Sequence, residues 1–113
     1  MMQSWRVIPR GWLLAGTAGL ATVIALAQSE AFVEAFREGG QALRGGRLDE
    51  AGSAFERCTR LDPGFAEAWF NLGLVRFQQH KSGEAIPLLE KSLHLKPGLR
   101  GANLFSGYLR IPR

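Results

Sequence analysis

At 113 residues, with a targeting segment that leaves fewer than ninety to fold, the chain has room for one small core. Hydrophobic residues at 46% and charged residues at 21% exclude a disordered chain, and Cys58, the single cysteine, excludes an internal disulfide. The formal charge of +4 is weak evidence for a polyanion partner: Arg6 and Arg10 belong to the N-terminal segment, and beyond it Lys and Arg exceed Asp and Glu by only two, with the signs interleaved.

From Gly11 to Ser29 the sequence carries no charge. Arg6 and Arg10 precede this stretch and Glu30 follows it, while Trp12-Leu13-Leu14-Ala15, Leu20, Val23, Ile24 and Leu26 supply an apolar middle. Ala25-Leu26-Ala27 offers small residues where a signal peptidase reads them, so residues 1–27 are expected to be a signal with the cut between Ala27 and Gln28. The competing expectation is an uncleaved anchor, since nineteen uncharged residues approach the ~20 that a spanning helix needs. Either way residues 11–29 offer a membrane tether, and the absence of positive charge just after them places the rest of the chain across the membrane.

The remainder, 28–113, repeats itself at a spacing of thirty-four. Phe36 aligns with Phe70, Gly39 with Gly73, Glu50 with Glu84, Ala51 with Ala85, Glu56 with Glu90, Leu61 with Leu95, Pro63 with Pro97 and Gly64 with Gly98. The units run over 31–64 and 65–98, and a partial third over 99–111 begins with Ala102 and Gly107 in register. Apolar spacing predicts a helix over Ala31–Arg44, a turn at Gly45-Gly46-Arg47 and a helix from about Asp49 to Arg60. It then predicts a helix over Ala66–Gln79, a break at His80-Lys81-Ser82-Gly83 with Ser82 as N-cap, and a helix over Glu84–Leu95 with Ala85, Leu88, Leu89, Ser92 and Leu95 inward. Pro87 falls early in that helix, where a missing donor costs least. Gly39 and Gly73 share one interior position, where glycine costs about 1 kcal/mol against alanine. Close helix packing, with Ala51 and Ala85 as small counterparts, is the simplest reason for them.

On these residues the sequence resembles the tetratricopeptide repeat family, whose unit reads W-x2-L-G-x2-Y, A-x3-F and P over thirty-four residues. Trp69, Leu72 and Gly73 match its first helix; Ala51, Phe55 and Pro63, and Ala85, Leu89 and Pro97, match its second helix and linker. The implied fold is all-α, a short helical-hairpin solenoid of two repeats and part of a third. Arg76 stands where the pattern has an aromatic, with Phe77 expected to compensate, and Ala35, Glu38 and Ala42 replace large residues in a degenerate first helix. Leu104, Phe105, Tyr108 and Leu109 are expected to form a capping helix, the cut edge of a longer repeat array, or a surface for a partner chain or self-association.

No catalytic pattern is present. His80 and His94 lack the spacing of metal ligands, Cys58 reads as core, Gly39-Gly40 and Gly45-Gly46 are not followed by G-K-[ST], and Glu50, Glu56, Glu84 and Glu90 read as solvated carboxylates. An enzyme is not expected, nor a cofactor, a metal or nucleic acid. The resemblance implies instead a groove for a protein or peptide, lined by the first helices: Val33, Phe36, Arg37, Gly40 and Leu43 in one unit and Glu67, Phe70, Asn71, Leu74, Phe77 and Gln78 in the next, with Leu104 and Tyr108 extending it. Asn71 is the sharpest of these, because an amide can both donate to and accept from a peptide backbone. Alanine at Phe70 and Phe77 is expected to abolish partner capture without unfolding. The expected role is an exported scaffold or adaptor, periplasmic or secreted, in a bacterial envelope. Its alternatives are a membrane-anchored assembly factor and a binder of anionic polymers through the basic C-terminal end: Lys91, Lys96, Arg100, Arg110 and Arg113.

Overall fold

The computed structural model describes residues 10–101, with side chains from Gly19 onward. Expectations for residues 1–9 and 102–113, including Leu104, Phe105, Tyr108, Leu109 and Arg110, lie outside the described residues. Four helices follow one another: α1 (Arg10–Arg44), α2 (Leu48–Leu61), α3 (Ala66–Gln78) and α4 (Ser82–Leu95). Two compact units divide within α1, Met1–Glu30 and Ala31–Arg113.

In the first unit, every residue from Gly19 to Glu30 is exposed, and Leu20, Val23, Ile24 and Leu26 keep more than half their surface open. Helix α1 starts far before the expected Ala31, because residues 20–38 contain neither glycine nor proline and nothing in them stops a helix.

The second unit is a pair of antiparallel hairpins, and its core joins residues of both. Ala35 and Ala42 of α1, Ala51, Phe55 and Cys58 of α2, and Ala68, Leu72 and Val75 of α3 form one buried cluster, each 5% exposed or less. The glycine shared by the two repeats sets the spacing. A Cβ built on Gly39 would stand 2.8 Å from the ring of Phe55, and one on Gly73 would stand 2.8 Å from Leu89 Cδ2 and 3.4 Å from the carbonyl of Ala85. Phe55 and Leu89 are themselves buried, so neither can swing away.

Each hairpin turn closes the same way. The N–H of Arg47 bonds the carbonyl of Ala42 at 2.8 Å and that of Gly46 bonds Leu43 at 3.1 Å, a Schellman pairing with Gly46 left-handed at φ 74°. Thirty-four residues on, Lys81 bonds Arg76 at 2.8 Å and His80 bonds Phe77 at 3.0 Å, with His80 left-handed at φ 63°. Arg47 and Lys81 thus finish one helix while their own carbonyls accept the first bonds of the next, from Ala51 at 3.0 Å and Ala85 at 2.9 Å. Ser82 is therefore not the N-cap expected of it. Lys81 already holds that place, and Ser82 is the first helical residue. Pro87 lies inside α4, in its second turn, leaving the carbonyl of exposed Gly83 to solvent.

One inward assignment changes. Leu95 is 37% exposed, as its repeat counterpart Leu61 is at 38%, because Leu93 and Leu99 take the inward place there, packed with Ala66 and Phe70. Repetition along the chain marks an equivalent position, not a buried one.

The two first helices differ in what they present toward the preceding side of the array. Ala68, Leu72 and Val75 are buried, whereas their counterparts Glu34, Glu38 and Gln41 are exposed. Polar residues thus stand at the end of the stack where the second repeat carries contact residues.

Replacing Gly73 by Ala should destabilise the domain by about 1–2 kcal/mol, since the strain of overpacking outweighs the ~1 kcal/mol gained in helix propensity. Urea unfolding followed by circular dichroism checks this; a stabilised variant would mean that the two helices are not in close contact at this point.

Candidate peptide interface

The residues assigned to the groove from sequence divide into those that build the junction between repeats and those that face outward. Phe36 belongs to the junction: its ring stacks on Phe32 at 5.8 Å and meets Phe55 and Phe65 edge-on, each at 5.7 Å. Phe32 and Phe65 close the group at 5.0 Å. Phe70 repeats the arrangement in the second unit, packed against Ala66, Leu93 and Leu99. Phe65 and Leu99 occupy the same repeat position, just after each Pro-Gly, so the first-helix aromatic and the linker residue form one joint made twice. Alanine at Phe70 would therefore open this cluster as well as change the outer face. Phe32, Phe65 and Leu99 were not singled out in sequence, although the thirty-four-residue spacing pairs the last two.

Leu43 is also half-buried, packed against the core from the end of α1. Val33 is 62% exposed; Gly40, Asn71, Leu74 and Phe77 are partly covered, and Gln78 is open. Arg37 is tied to Glu34 one turn earlier, which raises its pKa first through that hydrogen bond. Glu67 accepts a hydrogen bond from Lys96 Nζ at 2.7 Å, and this bond, ahead of any other cause, holds its carboxyl below the usual range. The first-helix face of α1 and α3 is thus an open strip with Leu74 and Phe77 beside the Asn71 amide, and with two of its charges satisfied internally.

Arg76, at the position of a family aromatic, keeps that place itself, and no substitute from Phe77 is needed. Its side chain, 17% exposed, pairs with Glu56 of α2 and lies 3.6 Å from Glu84 of α4. It also donates to Gln79 Oε1 at 3.0 Å, and Gln79 Nε2 donates to Asp49 Oδ1 at 2.8 Å. Buried Gly52 of α2 makes the room: a Cβ there would stand 2.9 Å from Arg76 Nη1 and 3.6 Å from Val75 Cγ1. One guanidinium therefore ties three helices together.

Trp69 donates its indole N–H to the carbonyl of Pro63 at 2.8 Å, with Lys91 Nζ 5.8 Å from the ring centroid. Cys58 is wholly buried, its thiol pushed up to about 11 chiefly by burial, which keeps it protonated at neutral pH and poor as a nucleophile. His80 and His94 are both exposed. Among the described residues no three His, Cys, Asp or Glu side chains come together as a metal would require. A concavity of about 650 Å³ lies between α1 and α2 and mixes Glu38, Asp49, Glu50 and Glu56 with Arg47, Arg57 and Arg60. The pairs Glu38–Arg57 and Glu50–Arg47 already satisfy much of that charge, so it selects no ligand sign.

Against this geometry stands a direct match: the tetratricopeptide repeat family covers residues 36–99. The chain belongs to that family. Its curated relatives include the peroxisomal targeting signal receptors of Komagataella phaffii, 45% identical over 53 residues, and of Kluyveromyces lactis, 43% identical over 53 residues. Each of these matches takes in 47% of this chain and 9% of the relative. The corresponding receptor of Yarrowia lipolytica is 44% identical over 54 residues, 48% of this chain and 9% of that protein. The chain thus spans under a tenth of the length of these relatives.

The Glu67–Lys96 contact generates a pH dependence. With its folded pKa lowered, Glu67 contributes stability that is fully present above its unfolded pKa and is lost as pH falls through the folded value. Chemical denaturation across the acidic range should therefore show a stability slope that Glu67→Gln reduces; an unchanged slope would remove this contact from the account.

Proposed function

We propose that the chain is a non-enzymatic protein-interaction module that holds an extended peptide segment across the first helices α1 and α3. The observation that carries this reading is the face itself: two first helices in register, joined underneath by the Phe36–Phe65 and Phe70–Leu99 contacts, leave Asn71 beside Leu74 and Phe77. An amide with both donor and acceptor can grip a backbone, and flanking apolar side chains can seat alternate residues of an extended chain. Relatives named as receptors for a targeting signal support recognition of a short segment of protein. Asn71→Ala should weaken capture of the partner about tenfold, the loss of one or two hydrogen bonds to a desolvated backbone, while leaving the melting temperature within a few degrees. Affinity capture with the wild type and the variant, read beside thermal unfolding of both, checks this; equal capture would remove Asn71 and the face around it from the site.

We propose further that the module acts beyond a membrane, exported through its N-terminal segment, as a scaffold or adaptor. The support is the uncharged run behind Arg6 and Arg10, together with the apolar exposure of Leu20, Val23, Ile24 and Leu26 on a helix that is apolar and long enough to span. One observation favours retention of that segment as an anchor. Helix α1 passes through Ala27 and Gln28 without a break, and a helical backbone is a poor substrate for a peptidase. Intact-mass measurement of the protein from membrane and soluble fractions should give the full-length N-terminus in the membrane; a soluble product beginning at Gln28 would establish cleavage instead.

A further inference from the structure

The charges on the first-helix face and at the hairpin tips are unequally satisfied. Arg37 is held by Glu34, Glu67 by Lys96, Arg47 by Glu50, and Asp49 by Gln79. Arg44, the last residue of α1, has no ion pair or side-chain hydrogen bond among the described residues. Its side chain does not point away from the helix. The guanidinium folds back along α1 over Gly40, with Nη1 3.4 Å and Nη2 3.9 Å from where a Cβ of that residue would stand. Gly40 is the repeat counterpart of Leu74, so one surface position carries leucine in the second unit and, by way of a missing side chain, a guanidinium in the first. A leucine at position 40 would take the space in which the Arg44 head group lies.

Resting on the peptide-binding reading above, we infer that the face selects an acidic segment, with a side-chain carboxylate of the bound peptide paired to Arg44 over Gly40 and apolar residues of the peptide on Leu74 and Phe77. A guanidinium offers two parallel donors to a carboxylate, and this one is positioned without an internal competitor. The source is an Asp or Glu side chain rather than a chain terminus. A nest of free backbone N–H groups, one means of capturing a terminal carboxylate, is not offered here, because the backbone about Gly40 and Arg44 is helical with its N–H groups engaged, and Arg44 stands as a single cation rather than a pair.

The full chain, kept in detergent micelles, is panned against a displayed random-peptide library in which every peptide is fused at its C-terminus. Expected is enrichment of aliphatic and aromatic residues together with Asp or Glu, and binding of the selected peptides that weakens with salt. Arg44→Gln should keep the apolar enrichment and lose the acidic one, and a Glu→Gln change in a selected peptide should cost the wild type about fivefold in affinity and Arg44→Gln nothing. Gly40→Leu, which retains the charge but fills its seat, should act as Arg44→Gln does while leaving thermal stability unchanged or raised. Apolar enrichment without an acidic preference would overturn the role of Arg44 and leave the groove standing. A preference found only for soluble peptides with a free C-terminus, and lost on amidation, would overturn the side-chain source. No enrichment of any kind would overturn the groove and the inference together.

Discussion

The absence of a side chain at one position of each first helix is the constraint on which the rest of the domain depends. With only hydrogen at Gly39 and Gly73, Phe55 and Leu89 press against the facing helix backbone, and the helices of each hairpin come close enough to bury Ala51 and Ala85 completely. A small domain has little apolar area to spend, so intimate contact at a few places matters more than a wide core. The second helix of the first hairpin is thereby brought to the angle at which Val75, Leu72 and Ala68 of the next hairpin can cover Phe55 and Cys58.

Around that apolar centre the repeats are joined by two different devices. On the linker side the joint is aromatic or aliphatic, Phe36 with Phe65 and Phe70 with Leu99. On the side of the second helices it is ionic, with Arg76 reaching Glu56 and Glu84 from a largely covered position. A pair in such a place gives up hydration for its contacts and is costly to break from one side, whereas the exposed pairs on α1 and α2 contribute little to stability. Binding, as proposed, uses neither joint. It draws on the strip between them, where Asn71 and Leu74 stand partly covered.

Much of this architecture is legible in the sequence because the chain writes it twice. The turns, the second helices and the paired glycines follow from a register of thirty-four and from Pro-Gly at each repeat end, and the structure places α2 and α3 within a residue or so of their expected bounds. What a periodic reading misses is whatever depends on a partner far along the chain. Arg76 looks like a departure from a pattern until Glu56, twenty residues earlier, and Gly52 are seen around it. Leu95 looks buried because it recurs, and Ser82 looks like a cap because of its type, although Lys81 is already fixed there by the end of α3. Arg44 is marked by no pattern in the sequence for the opposite reason: its meaning lies in the glycine four residues before it, a groove position that offers no side chain of its own until the guanidinium is found lying on it.

The polar character of Glu34, Glu38 and Gln41 gives the array a direction. Gene duplication of the thirty-four-residue unit would copy either a repeat whose leading side is charged or one whose leading side is apolar, and only the second could seat itself upon an existing hairpin without stranding carboxylates in a dry junction. Lengthening by duplication, in evolution or in the laboratory, would therefore have to reuse the 65–98 unit and insert it after the first.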